Sequence, residues 1–144
     1  ASMGLASVGI AQAAFEASVK YARERVQFGK PIGRFQLIQE MLYEMNVLIE
    51  TARLLGYKAM SLIVEGDPEA RKYSAMTKVY GGEAAIRVTN MAIQIHGGMG
   101  ISEEMPLERY YRDARMMTIP DGTSEIMKLI SGYSILGKGF SAYR

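Results

Sequence analysis

The chain has 144 residues, 49% hydrophobic and 22% charged, with 17 Lys and Arg against 15 Asp and Glu and a formal charge of +2. That is enough for one domain to bury a core without disulfides or metals, and it is too apolar for a disordered segment. Interspersed charges exclude a nucleic-acid patch, zero cysteines exclude disulfides and thiolate metal sites, and no apolar run approaches the roughly 18 to 20 residues of a membrane span.

The first 22 residues read as a helix almost from the start, with Leu5, Val8, Ile10, Ala13, Ala14, Val19 and Ala22 spaced for one face and Gly4, Ala6, Ser7, Gly9 and Ala11 between them. Small residues there predict close packing against neighbours. With no capping or leader segment before Met3, the expectation is a piece of a longer protein, whose missing part lies upstream of Ala1. Gly29, Pro31 and Gly33 force a loop over Gln27 to Gly33. The next stripe runs through Leu37, Ile38, Met41, Leu42, Met45, Leu48, Ile49, Ala52, Leu55, Ala59, Leu62 and Ile63. It predicts a helix from Phe35 to Val64, roughly 45 Å long at about 1.5 Å per residue.

Gly66-Asp67-Pro68 reads as a stop and a start, with Asp67 as N-cap and Pro68 in the first helical position of a helix reaching Ile95. Gly97, Gly98 and Gly100 end it. Pro106 opens a shorter helix to Arg115, and Thr123 or Ser124 caps a last one to Leu136. No period-two pattern or repeat is visible. The prediction is all-α: an antiparallel helical bundle of three long and two shorter helices, forming one domain over residues 1–144.

Chemistry is expected where the helices are interrupted: Arg23 to Gln36 (RERVQFGKPIGRFQ), Gln94 to Ile101 (QIHGGMGI) and Arg112 to Ile126 (RDARMMTIPDGTSEI). Each sets glycine beside charged or amide side chains at a helix end, where unpaired backbone N–H groups suit an anionic phosphate. His96 is the only histidine and reads as packed or capping rather than catalytic. Nothing in the pattern points to a metal.

Taken together, these segments resemble the acyl-CoA dehydrogenase family, whose C-terminal domain carries an Arg-x-x-Phe-Gly loop, a Gln-x-x-Gly-Gly-x-Gly turn, an Arg-Asp-x-Arg run and a Glu-Gly-Thr-x-x-Ile segment in this order. The resemblance covers nearly the whole chain and implies a homotetrameric flavoprotein, a dimer of dimers, with a helical N-terminal domain, a β middle domain and this bundle. It further implies FAD as cofactor, an acyl-CoA substrate, electron-transfer flavoprotein as acceptor, and a bacterial cytoplasmic or mitochondrial-matrix location. Arg25 and Phe28 match positions that reach the FAD of a neighbouring subunit, where a guanidinium fork suits phosphate oxygens; the alternative is a solvated Arg and a core Phe. Gln94, Gly97 and Gly98 match a second FAD contact, and also read as a glycine C-cap. Thr123 and Glu125 match cofactor-side positions, and Gly122 a substrate-side one. Arg112, Asp113 and Arg115 read as a charge network joining the short helix to its neighbours, and Tyr110, Tyr111 and the methionines as packing.

Asp121 stands where the family's commonest pattern has the glutamate that removes the α-proton of the acyl thioester, and Pro120 stands where an aromatic residue is usual. Three readings stay open. Asp121 is the base for an acyl group whose α-carbon lies closer to the loop, as in family branches acting on cyclic acyl-CoAs, its oxygens standing about 1 to 1.5 Å further back than a glutamate's, a shift that can cost about a hundredfold in rate. Alternatively the base is a glutamate upstream of Ala1, as in a branch resembling isovaleryl-CoA dehydrogenase, or Asp121 only caps the following helix. The resemblance also admits a flavin oxidase, acyl-CoA or nitroalkane oxidase-like, or a non-catalytic helical scaffold. By itself the domain is expected to fold and self-associate, to bind no FAD stably and to be inactive.

Overall fold

The computed structural model describes residues 1–137 and 139–142. Five helices account for most of it: α1 (Ser2–Glu24), α2 (Gln36–Glu65), α3 (Ala70–His96), α4 (Leu107–Met116) and α5 (Ser124–Leu136). The all-α bundle of three long and two shorter helices is as expected. One element was not: Val26–Gln27 (β1) and Lys30–Pro31 (β2) pair antiparallel, Gln27 opposite Lys30. Two residues per strand are too few to show a period of two, so only the turn between them carried a signal.

The central helix is α3, which packs against all four others. It runs parallel to α1, because Gly4 meets Thr77 and Gly81 near one end while Tyr21 stacks on His96 near the other. α2 returns antiparallel between them, bringing Gly56 against Leu5 and Thr77. The closeness of α1 and α3 follows from their small residues. A Cβ built on Gly81 would stand 2.6 Å from the Gly4 carbonyl oxygen, and one on Gly4 2.3 Å from that of Thr77. The buried face of α1 is accordingly Gly4, Ser7, Val8, Ala11, Ala14, Ser18 and Ala22. Leu5, Ile10 and Val19 lie half-buried at its flanks. The hydroxyls on this interface cost little, since Ser7, Ser18 and Thr89 each donate to the carbonyl four residues back, of Met3, Ala14 and Ala85.

On α2 the predicted stripe is buried from Met45 to Leu62, but its ends overhang the bundle, with Leu37 and Ile63 exposed. Tyr43, Val47, Leu54 and Tyr57 on α2, and Ile126, Leu129, Ile135 and Leu136 on α5, are also large and exposed. The start of α3 is later than predicted. Asp67 Oδ1 accepts from Glu69 N at 2.7 Å, so Asp67 caps a turn, and the helix proper begins at Ala70. Gly66 ends α2 in the left-handed conformation, φ 68°. No helix among the described residues is long and apolar enough to cross a membrane.

Candidate functional site

Two ends of the bundle carry the predicted residues. At the first, α1 stops at Glu24 and the chain enters the hairpin, whose two-residue turn is Phe28-Gly29 with φ of 52° and 76°. Both values positive make a turn of type I′, which Asn-Gly fills readily and Phe-Gly does not. The strain is local, because Ile32 N donates to the Arg25 carbonyl at 2.8 Å and Ile32 is buried, pinning both strands to the bundle. Phe28 therefore projects with 92% of its surface exposed, its ring edge-on to Phe35 at 6.2 Å, which rules out the core-Phe alternative. Replacing Phe28 with Asn is expected to stabilise the chain by about 0.5 to 1 kcal/mol through relief of the turn, measurable by denaturant melts. A gain in stability from loss of an aromatic side chain is the mark of a residue kept for contact outside the chain.

Beside the hairpin, α3 ends on His96, and Gly97 turns the backbone at φ 59° while its N–H is shared between the Gln94 and Ile93 carbonyls. The C-cap reading of these glycines is thus correct for Gly97. Gly98 is different: its φ is ordinary and a Cβ there would meet nothing within 4 Å, so nothing inside the described chain requires glycine. Gln94, Gly97 and Gly98 are exposed, as is Arg25. Among the described residues the Arg25 guanidinium and the Gln94 amide have no hydrogen-bond or ion-pair partner. This end thus presents a cation, an amide, an aromatic ring and bare backbone to whatever lies outside.

His96 belongs to the core behind that surface. Its Nδ1 lies 2.8 Å from the Ala92 carbonyl, so Nδ1 carries the proton, and its ring stacks on Tyr21 at 4.3 Å. The Nε2 atom is buried without a partner. Burial lowers its pKa from the ordinary 6.5, partly offset by the Ala92 bond. A group with a depressed folded pKa stabilises the fold above its unfolded value and ceases to do so as pH falls. The melting temperature is therefore expected to drop as pH is lowered through 6.5, and His96→Phe, which keeps a ring on Tyr21, to flatten that slope.

The second end is built around Asp121. α4 runs back along α3 to Met116, and a loop of Met117 to Thr123 leads into α5. The Thr118 carbonyl closes this loop by accepting from Ser124 N at 3.1 Å and from Lys78 Nζ at 2.8 Å. At its apex Asp121 and Gly122 both have positive φ, 55° and 96°. Phe28 and Asp121 are the two non-glycine residues in that conformation among those described, and both were picked from sequence as site residues. Such strain persists only where the surroundings over-determine it. Asp121 is exposed, at the edge of an open depression of about 360 Å³ shared with Arg71, Ser74, Lys78 and Met127. Gly122 is packed, a Cβ there standing 2.3 Å from Met127 Cε.

Asp121 does not cap α5. Thr123 does, its hydroxyl accepting from Ile126 N at 3.5 Å. Glu125 in the first turn is exposed, and its carboxyl pKa is lowered by its own backbone N–H, then by the Thr123 hydroxyl, Lys128 and Lys78. Among the described residues the expected charge network joining α4 to its neighbours is not formed. Arg112 pairs with Glu108 one turn back at 2.7 Å, and Arg115 donates to the Thr118 hydroxyl at 2.6 Å, so both act within α4 and the turn after it. Tyr110 packs partly on the core and Tyr111 is exposed. The methionines divide, Met45 and Met117 buried, Met60, Met76, Met99 and Met116 exposed. No group of three or more His, Asp or Glu suited to a metal occurs among the described residues.

The two ends are separated along α3 by the residues from Lys78 to Gln94, about 25 Å at 1.5 Å per residue. Sequence reading missed Lys78, although it falls on the face of Ala75, Gly82 and Ala85, where a lysine interrupts an otherwise small and apolar row.

Comparison with known proteins shows which family this frame belongs to. The family model for the acyl-CoA dehydrogenase C-terminal domain matches residues 1–136. The chain belongs to that family. It is 45% identical over 144 residues to the mitochondrial short-chain specific acyl-CoA dehydrogenase of Rattus norvegicus, covering 99% of this chain and 34% of the relative. It is 44% identical over 139 residues to the 3-sulfinopropanoyl-CoA desulfinase of Paraburkholderia xenovorans, covering 96% and 35%. The structure of butyryl-CoA dehydrogenase from Megasphaera elsdenii superposes with a TM-score of 0.91 at 41% identity, over 94% of this chain and 35% of that one. The chain thus spans about a third of the length of the acyl-CoA dehydrogenases it resembles.

Proposed function

We propose that residues 1–144 are the C-terminal helical domain of a three-domain, FAD-dependent acyl-CoA dehydrogenase that converts an acyl-CoA to its 2-enoyl-CoA, with Asp121 as the base. The observation that carries this is Asp121 itself: an exposed carboxylate at φ 55° on the tip of a loop closed at its neck. An aspartate that was only structural would be engaged, and the cap it was a candidate for is filled by Thr123.

The remaining site residues fit a dinucleotide. Arg25 offers an unengaged planar fork for phosphate oxygens, Phe28 a ring for stacking, Gln94 an amide, and Gly97 and Gly98 open backbone. FAD, when bound, supplies the acceptor for the hydride that leaves the substrate β-carbon. Asp121 takes the α-proton, Gly122 lets the backbone pass close to the thioester, and Thr123 and Glu125 lie on the cofactor side of the same loop. Because about 25 Å of α3 separates Asp121 from the Arg25 end, the two groups serve different copies of the cofactor. That requires neighbouring subunits, and the exposed apolar side chains of α2 and α5 supply faces for a homotetramer built as a dimer of dimers. Electron-transfer flavoprotein is the acceptor proposed for the reduced enzyme, in the bacterial cytoplasm or the mitochondrial matrix.

Relatives named for desulfination and for dehydrogenation match this chain about equally well, so the reaction is tested on the full-length protein. Anaerobic addition of short saturated acyl-CoAs should bleach the flavin absorbance and yield the 2-enoyl product. Flavin that stays oxidised with every saturated acyl-CoA tried would overturn the reading.

A further inference from the structure

Among the described residues Lys78 is the one lysine or arginine that is buried, with 4% of its surface exposed. An ammonium withdrawn from water is costly unless its charge is used. Nζ donates to the Thr118 carbonyl, the same oxygen that takes the Ser124 N–H and so closes the loop holding Asp121. Thr118 is gripped from other sides as well. Arg115 donates to its hydroxyl, the hydroxyl donates to the Arg115 carbonyl at 2.9 Å, and its methyl group lies over Gly82, where a Cβ would come within 3.1 Å. The neck of the loop is therefore fixed, and Lys78 is its one tie to α3 by hydrogen bond among the described residues.

Thr118 O is also the only hydrogen-bond acceptor of Lys78 among those residues, which leaves two N–H groups of the ammonium. The charges around it are Asp121 at the loop apex, Glu125 on α5, Arg71 on α3 and the Ala1 amino group, of which Asp121, Arg71 and Ala1 line the same depression. Lys128 of α5 is paired with Glu83 at 2.7 Å and is not aimed at it. Desolvation lowers the Lys78 pKa, and the carboxylates of Glu125 and Asp121 oppose that.

We propose that Lys78 is a positioning residue for Asp121: its buried ammonium staples the neck of the Thr118–Ser124 loop and sets a fixed positive charge beside the carboxylate. The role rests on the reading of Asp121 as base. Without the staple, the loop relaxes from its left-handed apex and the carboxylate loses its place over the α-carbon. Misplacement of about 1 Å costs up to about a hundredfold in rate.

The test compares Lys78→Met, Lys78→Gln and Asp121→Asn in the full-length holoenzyme, reading flavin content, melting temperature, KM and kcat. Lys78→Met should keep its flavin, leave KM within about threefold and lower kcat about ten- to a hundredfold. Lys78→Gln restores a donor for the Thr118 carbonyl and should recover part of kcat. Wild-type kcat in Lys78→Met overturns the proposal. Loss of flavin and early melting in both Lys78 variants also overturn it, reducing Lys78 to a residue of the core. The control separates the two readings. An inactive Asp121→Asn with an unaffected Lys78→Met sinks only this inference, whereas a fully active Asp121→Asn sinks the assignment of the base and this inference with it.

Discussion

Asp121→Asn in the full-length enzyme is expected to lower kcat by at least about a hundredfold, with KM for the acyl-CoA nearly unchanged. A positioned general base contributes typically 10² to 10⁴ in rate, and loss of an interaction made only in the transition state appears in kcat rather than KM. Asparagine is the informative substitution because it matches aspartate in size and tolerates φ 55°. Alanine at that backbone position would add strain and confuse loss of the base with collapse of the loop. Asp121→Glu tests reach. Its carboxylate is carried about 1 to 1.5 Å further, enough to retune the rate by about a hundredfold in either direction depending on where the substrate α-carbon lies. Stopped-flow measurement of flavin reduction isolates the step. Unchanged reduction in Asp121→Asn would place the base elsewhere, with a glutamate upstream of Ala1 as the first residue to examine.

Gly81→Val is expected to be strongly destabilising. A Cβ at residue 81 would lie 2.6 Å from the Gly4 carbonyl oxygen and 3.0 Å from its Cα. The obstacle is backbone on a neighbouring helix, so no rotamer change relieves it, and α1 must move away from α3. Overpacking of this kind costs typically 1 to 3 kcal/mol and occasionally more, and valine's second branch places it at the upper end. The gain from replacing glycine in a helix, up to about 1 kcal/mol, does not offset it. A loss of about 3 kcal/mol corresponds to a fall of roughly 10 °C in melting temperature. Gly9→Ala makes the control, since a Cβ there meets nothing within 4 Å; it should hold or raise stability. Equal melting of Gly81→Val and the unmodified chain would mean that the α1–α3 contact is looser than described.

Much of the architecture was legible because each helix announces its period and its ends. The stripe from Leu37 to Ile63 identified α2 to within a residue or two, and Thr123 capped α5 where its position implied. The hairpin was illegible as strand. Four paired residues are held by Ile32 burying itself and by a bond from Ile32 N to the Arg25 carbonyl, and neither leaves a trace in local pattern. Among the described residues the charge network expected of Arg112, Asp113 and Arg115 is not formed, for a related reason. Arg112 and Arg115 find partners on the same helix or in the turn after it, and sequence spacing alone does not say whether a second element stands close enough to compete.

Residue identity by itself determined the helical class and the interruptions where chemistry is expected, because periodicity and glycine placement are properties of the chain one turn at a time; the candidates Arg25, Phe28, Gln94 and Asp121 within them came from the resemblance to the family. Only the tertiary structure decided that these candidates divide between two ends of α3, that Phe28 and Asp121 sit at positive φ, and that Lys78 ties Thr118 to the core. Those facts depend on which helix faces lie together. That is fixed by how closely Gly4 and Gly81 allow two backbones to approach, a contact between residues 77 positions apart that no local pattern contains.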